Sequence, residues 1–335
     1  MSVPPSADAL DVVGIGNALV DVLSNESESF LDEHGLVKGA MALIDADRAR
    51  VLYDAMGPGT EISGGSAANT MVGIGSLGGQ AAFVGRVRDD QLGTVFGHDI
   101  RASGVHFETA PADDGAPTGR CLIVVTPDAE RTLNTFLGAA SEIGPTDIGA
   151  ALIASAQITY LEGYLFDQPL AKQAFRHAAS LAHESGRRVA LTLSDGFCVD
   201  RHRDDFRDLV EHEIDILFAN ESEICSLYEV GSFDDALQHV MHHCEIAALT
   251  RSAKGSVIVS GDDVHVLDAH PVDGAVVDTT GAGDQYAAGF LFGFTHGYDL
   301  GTCGRLGGLA AAEVISHLGA RPERSLAALA APLLA

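Results

Sequence analysis

The 335-residue chain has no tryptophan and only three lysines, Lys38, Lys172 and Lys254. None of these lysines follows a glycine, which excludes the G-x-x-x-x-G-K-[ST] phosphate loop. The five cysteines are dispersed and form no C-x-x-C pair, which argues against a disulfide framework and against a thiolate zinc site. G-x-S-x-G is also absent, so the sequence lacks the nucleophile elbow of the serine hydrolases.

Positive charge is scarce, because 20 Lys and Arg residues face 47 Asp and Glu residues and give a net charge of -27. A surface of that sign repels phosphate backbones and anionic lipid head groups, so neither nucleic acid nor a membrane is expected as a partner. No apolar run reaches the ~20 residues of a membrane-spanning helix, and Met1–Pro5 lack the basic region of a secretory signal. We therefore expect a cytoplasmic protein, monomer or homodimer, whose partner is a small molecule.

Hydrophobic residues make up 46% of the chain, which is enough apolar surface for a folded core. Short β-branched runs such as Val12–Gly16, Gln157–Glu162 and Ile214–Ala219 alternate with Ala- and Leu-rich segments such as Leu170–Ser185. Repeated strand-then-helix order is typical of a parallel sheet with helices on both faces. The sequence therefore predicts an α/β fold with a doubly wound, mostly parallel sheet flanked by helices.

Two stretches, about residues 36–63 and 105–138, interrupt this alternation with grouped strand-like runs. The runs are Val37–Ile44, Thr60–Ser63, Val105–Thr109, Thr118–Thr126 and Arg131–Leu137. Strands grouped in this way predict a small separate β-sheet that could serve as a lid. We expect residues 1–335 to form a single domain with these lid strands inserted in it.

A glycine pattern, Gly73–Gly78, matches the dinucleotide fingerprint G-x-G-x-x-G. The fingerprint binds pyrophosphate only where the glycines lie between a strand and the start of a helix. Here they precede the strand-like run Gln80–Val87, and are better interpreted as the end of a closely packed helix. An NAD-dependent oxidoreductase stays as an alternative from another functional class.

The densest chemical motif is Asp278-Thr279-Thr280-Gly281-Ala282-Gly283-Asp284, in which a β-branched run turns through small residues into an apolar helix. Small residues let a ligand approach the backbone, and the unpaired N–H groups of a helix start attract an anion. A carboxylate at Asp284 would repel a resting phosphate, but it suits a base that takes the proton from a hydroxyl attacking phosphorus. The alternative is an ordinary helix start, capped by Thr279 or Thr280, with Asp284 complementing the helix dipole.

Upstream segments offer groups for binding hydroxyls. Gly64 and Gly65 combine a hinge with close backbone contact, and the Asn69 amide can both donate and accept. Asp21 follows the first strand, at the edge where ligands gather in open α/β sheets. A turn before a helix and a solvated loop acid are the alternatives.

Asn220 and Glu223 follow the strand-like run Ile214–Ala219 with the spacing N-x-x-E. The same spacing is that of a capping box, in which Asn220 caps a helix and Glu223 reaches back to it. Both interpretations stay open at this point.

These motifs together resemble the two signatures of the ribokinase-like (PfkB-type) carbohydrate kinase family, with Asn220-x-x-Glu223 similar to its magnesium-associated motif. The likeness runs from about Asp11 to Pro322, in the family's order and spacing. It implies an ATP- and Mg²⁺-dependent kinase with a doubly wound α/β domain and a small β lid.

The resemblance implies a role for each matching residue. Asp284 would be the catalytic base, and the anion hole would comprise Gly281, Ala282 and Gly283. The acceptor would be bound by Asp21, Gly64, Gly65 and Asn69. The nucleotide would contact Asn220, Gly283 and the family's T-x-G-x-x-G loop, here Thr250, Ser252 and Gly255, in which Ser252 replaces the first glycine.

The resemblance also implies metal ligands. Glu223 and Asn220 would organise Mg²⁺ through water. Asp278 and Thr280 match positions that hold a monovalent cation such as K⁺ in some members, and the sequence leaves open whether this chain binds one.

Within the family the sequence is most similar to adenosine kinases. The similar segments are Gly16–Asp21, Phe30–His34, Pro117–Arg120, Ala129–Leu133 and Thr192–Phe197. An apolar slot for a flat purine is expected from Met41, Leu43, Leu133, Thr135 and Phe197, although the same residues could simply pack the lid. The expected reaction is phosphorylation of the 5′-hydroxyl of adenosine or a related nucleoside. A ribose- or fructose-type sugar kinase and a non-catalytic sensor are the alternatives.

Overall fold

The structure is a computed structural model, and it describes residues 10–128, 130–241 and 243–334. The predictions made for Met1–Pro5 and for Ala129 fall outside these residues.

The strands, numbered along the chain, alternate with helices over most of the described length. The strands are β1 (Leu10–Ile15), β2 (Leu19–Asn25), β3 (Met41–Leu43), β4 (Thr60–Gly64), β5 (Ala81–Val84), β6 (Gly119–Val125), β7 (Arg131–Phe136), β8 (Ala156–Glu162), β9 (Arg188–Thr192), β10 (Ile216–Asn220), β11 (Ile246–Thr250), β12 (Ser256–Ser260) and β13 (Asp263–Leu267). The helices are α1 (Glu28–Glu33), α2 (Ala46–Ala55), α3 (Ser66–Ser76), α4 (Gln91–Ala102), α5 (Ala150–Ser155), α6 (Pro169–Glu184), α7 (Gly196–His212), α8 (Glu221–Tyr228), α9 (Phe233–Val240), α10 (Ala282–Thr295), α11 (Leu300–Val314) and α12 (Leu326–Leu334).

The main sheet has eight strands in the order β13-β12-β11-β10-β9-β8-β1-β5. The strands from β5 to β11 pair in parallel, whereas β12 and β13 add an antiparallel edge. β13 is not among the predicted strands. Because β1 lies between β5 and β8, the winding reverses beside β1, and ligands in open α/β sheets bind at such a reversal.

The two faces of the main sheet bury separate cores, as a doubly wound sheet requires. Val13 and Ile15 of β1 pack in one core with Phe175 of α6. Val12 points to the other core, with Met71 of α3 and Phe290 of α10. This alternation follows from the two-residue period of a strand, and the predicted fold class is confirmed.

A second sheet has the order β3-β7-β6-β2-β4, and we call it the lid sheet. The sequence prediction missed β2, because only Gly16, Asn17 and Ala18 separate it from β1. The predicted lid strand Val105–Thr109 was wrong: it forms an isolated bridge from His106 to Ala82, at the edge of the main sheet.

None of the helices in the part of the chain described combines the length and hydropathy needed to cross a bilayer.

Candidate active site

A cavity of about 1800 Å³ lies between the carboxyl ends of the main strands and the lid sheet. Its volume exceeds the ~300–1,000 Å³ typical of a site for one small ligand, so two ligands can fit. Most predicted site residues line it: Asp21, Met41, Leu43, Gly65, Asn69, Leu133, Thr135, Phe197, Asn220, Glu223, Thr250, Ser252, Gly255, Thr280, Gly281, Ala282, Gly283 and Asp284. Gly64 and Asp278 do not line the cavity, but each contacts a residue that does: Gly64 lies against Asp21, and Asp278 accepts hydrogen bonds from Thr280.

The start of α10 exposes backbone to the cavity. Gly281 adopts φ 77°, and a Cβ there would lie 2.7 Å from the backbone of Ala320, so the position requires glycine. The Ala282 N–H donates to Thr279 O at 3.3 Å. A Cβ at Gly283 would meet no atom of the described residues within 4 Å, which leaves open space beside the first turn. Such a helix start is suited to an anion.

Asp284 stands in the first turn of α10 and faces α3. Its Oδ1 accepts a hydrogen bond from Ser66 Oγ at 2.6 Å, and its Oδ2 accepts one from Asn69 Nδ2 at 3.3 Å. Burial raises the pKa of Asp284 to about 6, although these two bonds favour the ionised form. At neutral pH the carboxylate is therefore ionised in most molecules and able to accept a proton.

Gly64 ends β4 and Gly65 precedes α3, and neighbouring atoms leave no room for a side chain at either position. A Cβ on Gly64 would lie 2.5 Å from the carboxyl group of Asp21, and one on Gly65 would lie 2.1 Å from Asn17 O. Gly65 also has φ 105°, which side chains rarely adopt. Burial raises the pKa of Asp21 to about 6, while the charges of Arg321 and Arg131 oppose this shift.

In the loop after β11, Ser252 adopts a backbone conformation that glycine favours. Ser252 adopts φ 51°, in the left-handed region, so the backbone bends where the family pattern has glycine. Gly255 has φ 83°, and a Cβ there would lie 2.0 Å from Leu267 O of β13. Thr250, Ser252 and Gly255 therefore form one turn at the edge of the cavity.

Asn220 and Glu223 form a capping box at the start of α8, which confirms that interpretation of their spacing. Each Glu223 oxygen accepts one bond from Asn220, from the backbone N–H at 2.9 Å and from Nδ2 at 2.5 Å. Burial raises the pKa of Glu223 to about 7. Both oxygens keep further lone pairs, and the side chain lines the cavity.

The residues predicted for an apolar slot lie on two sides of the cavity. Met41 pairs with Leu133, and Leu43 with Thr135, on adjacent lid strands. Phe197 stands opposite, in the first turn of α7, and 78% of it is exposed. Met41 and Leu43 are 52% and 55% exposed. Apolar side chains this open in a cavity are suited to cover a flat ligand.

Several polar residues of the site were missed by sequence reasoning. Glu162, at the end of β8, accepts hydrogen bonds from Asn17 Nδ2 at 2.7 Å and from Ala67 N at 2.8 Å. Burial raises the pKa of Glu162 to about 7. Its place at the carboxyl end of a parallel strand is a signal that could have identified it. Ser66 could have been identified because it directly follows the glycine pair.

Two arginines could not have been found in this way. Arg321 donates to Asn69 Oδ1 at 3.0 Å and to Asp99 Oδ2 at 3.0 Å. Arg131, at the start of β7, donates to Asp278 Oδ2 at 2.5 Å. These partners are distant in sequence, and although Arg131 lies in the family-like segment Ala129–Leu133, no local pattern predicts the contacts of either arginine.

The glycines of the dinucleotide-like pattern lie in and after the last turns of α3. A Cβ on Gly73 would lie 2.2 Å from Gln285 Oε1 and 2.7 Å from Ala288 Cβ, so this glycine allows α3 and α10 to pack closely. The strand-to-helix turn that a dinucleotide needs is absent at this segment, and the pattern there is structural.

Comparisons with known proteins agree with this geometry. The profile of the pfkB family carbohydrate kinases matches residues 43–325. An adenosine kinase from Sinorhizobium meliloti has 52% identity and a TM-score of 0.89, over 97% of this chain and 99% of that chain. A probable sugar kinase from Rhizobium etli CFN 42 has 49% identity and a TM-score of 0.90, over the same shares. The adenosine kinase of Saccharomyces cerevisiae is 26% identical over 92% of this chain and 95% of that protein.

The fold is thus the ribokinase-like fold that adenosine kinase structures share. The protein is a kinase that uses ATP and phosphorylates an alcohol group. The chain belongs to the pfkB family of carbohydrate kinases.

Proposed function

We propose that this kinase transfers the γ-phosphoryl group of ATP to the 5′-hydroxyl of a purine nucleoside, with adenosine as the first candidate. The observation that carries the proposal is the position of Asp284. Its carboxylate stands at the start of α10, in the same cavity as Asp21 and Asn69 on one side and the Thr250–Gly255 turn on the other. A hydroxyl and a nucleotide bound at these two places would meet at Asp284.

Asp284 is proposed as the catalytic base. The acceptor oxygen gives its proton to the carboxylate and forms a bond to the γ-phosphorus, while the bond from that phosphorus to the β–γ bridging oxygen breaks and ADP leaves. With a pKa near 6, the carboxylate is ionised at neutral pH yet basic enough to take the proton.

The start of α10 is proposed as the anion hole. The N–H groups of Gly281 and Gly283 and the positive end of the helix dipole would stabilise the charge on the transferring oxygens. The N–H of Ala282 would join them by exchanging its long bond to Thr279 O, at 3.3 Å, for one to the phosphoryl group. The open space at Gly283 leaves room for a phosphoryl group beside the backbone.

The acceptor subsite is proposed at the hinge between the two sheets. Asp21 and Asn69, with the backbone at Gly64 and Gly65, would bind the ribose hydroxyls. A carboxylate accepts from two neighbouring hydroxyls, which favours a vicinal diol. Arg321 donates a hydrogen bond to Asn69 Oδ1, and this bond orients the amide so that Asn69 Nδ2 points towards Asp284.

The apolar slot distinguishes a nucleoside from a free sugar. Met41, Leu43, Leu133, Thr135 and Phe197 offer mostly hydrocarbon and aromatic surface, which suits a purine. A free hexose would need polar partners there. The relative from Sinorhizobium meliloti named adenosine kinase supports this choice, whereas the probable sugar kinase from Rhizobium etli keeps a sugar acceptor as the second candidate.

The nucleotide is proposed to bind over the turn of Thr250, Ser252 and Gly255, with Asn220 at its phosphates. In the described residues no three His, Cys, Asp or Glu side chains are grouped closely enough to hold a metal ion by themselves. The free lone pairs of Glu223 suit the water shell of Mg²⁺, and with Asn220 this carboxylate would hold an ion that enters with the nucleotide. The ion would neutralise phosphate charge in addition to the start of α10.

The lid sheet is proposed to close over the acceptor. Its inner face presents Leu23, Ile123, Val125 and Leu133 to the cavity, and such a surface excludes water once a ligand is covered. We therefore expect slow ATP hydrolysis in the absence of an acceptor. A high rate without acceptor would contradict closure of the lid.

The deciding experiment measures ADP release with ATP, Mg²⁺ and a panel of acceptors: adenosine, guanosine, inosine, cytidine, ribose and fructose. A kcat/KM highest for a purine nucleoside supports the proposal, and a value highest for a free sugar favours the sugar kinase. Asp284→Asn should lower turnover by ~10²–10⁴-fold while ATP still raises the melting temperature. Near-normal turnover of that variant would refute the base.

A further inference from the structure

Asp278 and Thr280 match positions that hold a monovalent cation in some members of the family, and the structure shows what surrounds the Asp278 carboxylate. Asp278 Oδ1 accepts from Thr280 N at 3.0 Å and from Thr280 Oγ1 at 2.6 Å. Asp278 Oδ2 accepts from Gly319 N at 3.0 Å and from Arg131 Nη1 at 2.5 Å. A carboxylate has about four lone-pair positions, so these four donors fill them.

The charge of Asp278 is compensated as well. The side chains of Arg131 and Asp278 are 9% and 8% exposed, so the ion pair is shielded from solvent. Burial opposes ionisation of Asp278, but the bonds from Thr280 and Gly319 and the charge of Arg131 hold its pKa below the ordinary value. A guanidinium does not lose its proton in proteins. A K⁺ ion on the same carboxylate would lie within a few ångströms of a permanent positive charge and would be repelled. The residues present therefore do not fit a monovalent cation.

We propose that the guanidinium of Arg131 takes the place of the monovalent cation in this chain, so that the kinase works equally well without K⁺. In this arrangement Arg131 is a positioning residue. Arg131 neutralises Asp278, and Asp278 in turn binds both the backbone and the hydroxyl of Thr280, the residue before Gly281. The lid strand β7 thereby helps to hold the turn that leads into α10. The proposal rests on the kinase activity but not on which alcohol is phosphorylated.

The test compares K⁺ with tetramethylammonium at equal ionic strength, by thermal melting of the free protein and by steady-state turnover. The wild-type protein should melt at the same temperature in both salts, and its kcat should agree within about twofold. Arg131→Gln removes the charge and leaves Asp278 uncompensated. In that variant K⁺ should raise the melting temperature by about 2 °C or more relative to tetramethylammonium.

Arg188→Gln is the matched control, because Arg188 forms an ion pair with Glu245 at 3.0 Å on the outer surface. It loses the same charge and should show no preference for K⁺. A wild-type kcat that falls tenfold without K⁺ overturns the proposal, as does an Arg131→Gln variant that is indifferent to K⁺ in melting. If Arg131→Gln does not fold, the wild-type comparison alone decides. Because melting needs no substrate, a wrong acceptor assignment cannot be mistaken for failure of this proposal.

Discussion

The hydrogen bond from Ser66 to Asp284 gives the sharpest test of the proposed base. Ser66 Oγ donates to Asp284 Oδ1 at 2.6 Å, so it stabilises the ionised carboxylate and lowers a pKa that burial raises. Ser66→Ala removes this donor and leaves only the longer bond from Asn69, at 3.3 Å. We expect the pKa of Asp284 to rise, and the acid limb of the pH–rate profile to rise with it.

The size of the shift follows from the bond. A hydrogen bond to a charged group contributes about 1.5–3 kcal/mol, and one pKa unit corresponds to ~1.4 kcal/mol. Water entering the space left by the hydroxyl would replace part of the bond, so we expect an upward shift of about one pH unit. The wild-type limb should lie near the pKa of about 6 given by the structure. At pH 6 the variant should therefore retain a several-fold smaller fraction of its plateau rate than the wild type.

The measurement is kcat/KM against pH from 5 to 9, for the wild type, Ser66→Ala, Ser66→Thr and Ser155→Ala. Threonine keeps the hydroxyl and should keep the limb in place. Ser155, whose hydroxyl donates to Leu152 O in α5, is a control remote from the cavity. Protonation of ATP affects all four proteins equally, so differences among the profiles belong to the enzyme. An acid limb that stays in place or moves down in Ser66→Ala would refute the assignment of Asp284.

Three further predictions concern stability, each measured by urea denaturation. Burial raises the pKa of Asp284, so ionisation of this carboxyl destabilises the folded state as pH rises from about 4 to 6. Asp284→Asn should therefore be more stable than the wild type at pH 8, by at most about 3 kcal/mol. Lower stability of the variant at pH 8 would contradict the burial argument. Gly65→Ala should lower the free energy of unfolding by about 1–3 kcal/mol and raise KM for the acceptor, since the new Cβ would meet Asn17 O. Gly186→Ala is the control for the strained conformation alone, because Gly186 has φ 67° and its Cβ would meet no atom of the described residues. The pKa of Glu162 is raised from 4.5 to about 7, so the folded state keeps its proton longer than the unfolded chain and loses stability between those pH values, at up to ~1.4 kcal/mol per pH unit. Glu162→Gln should reduce the dependence of the free energy of unfolding on pH in this range. An unchanged pH dependence would show that Glu162 does not cause it.

Local features of the chain were predictable because they depend on local physics. The glycine turn and the helix around Gly281 and Asp284 follow from backbone freedom, helix-start chemistry and apolar periodicity within a few residues, whereas the β-branched run before them forms no strand. The capping box of Asn220 and Glu223 is equally local, which is why its spacing already offered that interpretation. The fold class followed from the repeated order of strand and helix.

Pairing between strands could not be predicted in the same way. Three residues separate β2 from β1, and the assignment of β2 to the lid sheet depends on β4 and β6, which lie far along the chain. Val105–Thr109 has the composition of a strand, but it forms only an isolated bridge between His106 and Ala82 at the edge of the main sheet. Strand propensity describes a residue's fit to a sheet and does not determine which sheet receives it.

The sequence by itself determined the kinase motifs, the small residues that we propose as the anion hole, and the identity of the carboxylate that we propose as base. Only the tertiary structure decided what surrounds that carboxylate. Arg131 reaches Asp278 across 147 residues, Arg321 reaches Asn69 across 252, and Glu162 reaches Asn17 across 145. The charge balance of the cavity is set by these long-range contacts, because electrostatic energies depend on distance and burial, which only the folded chain defines.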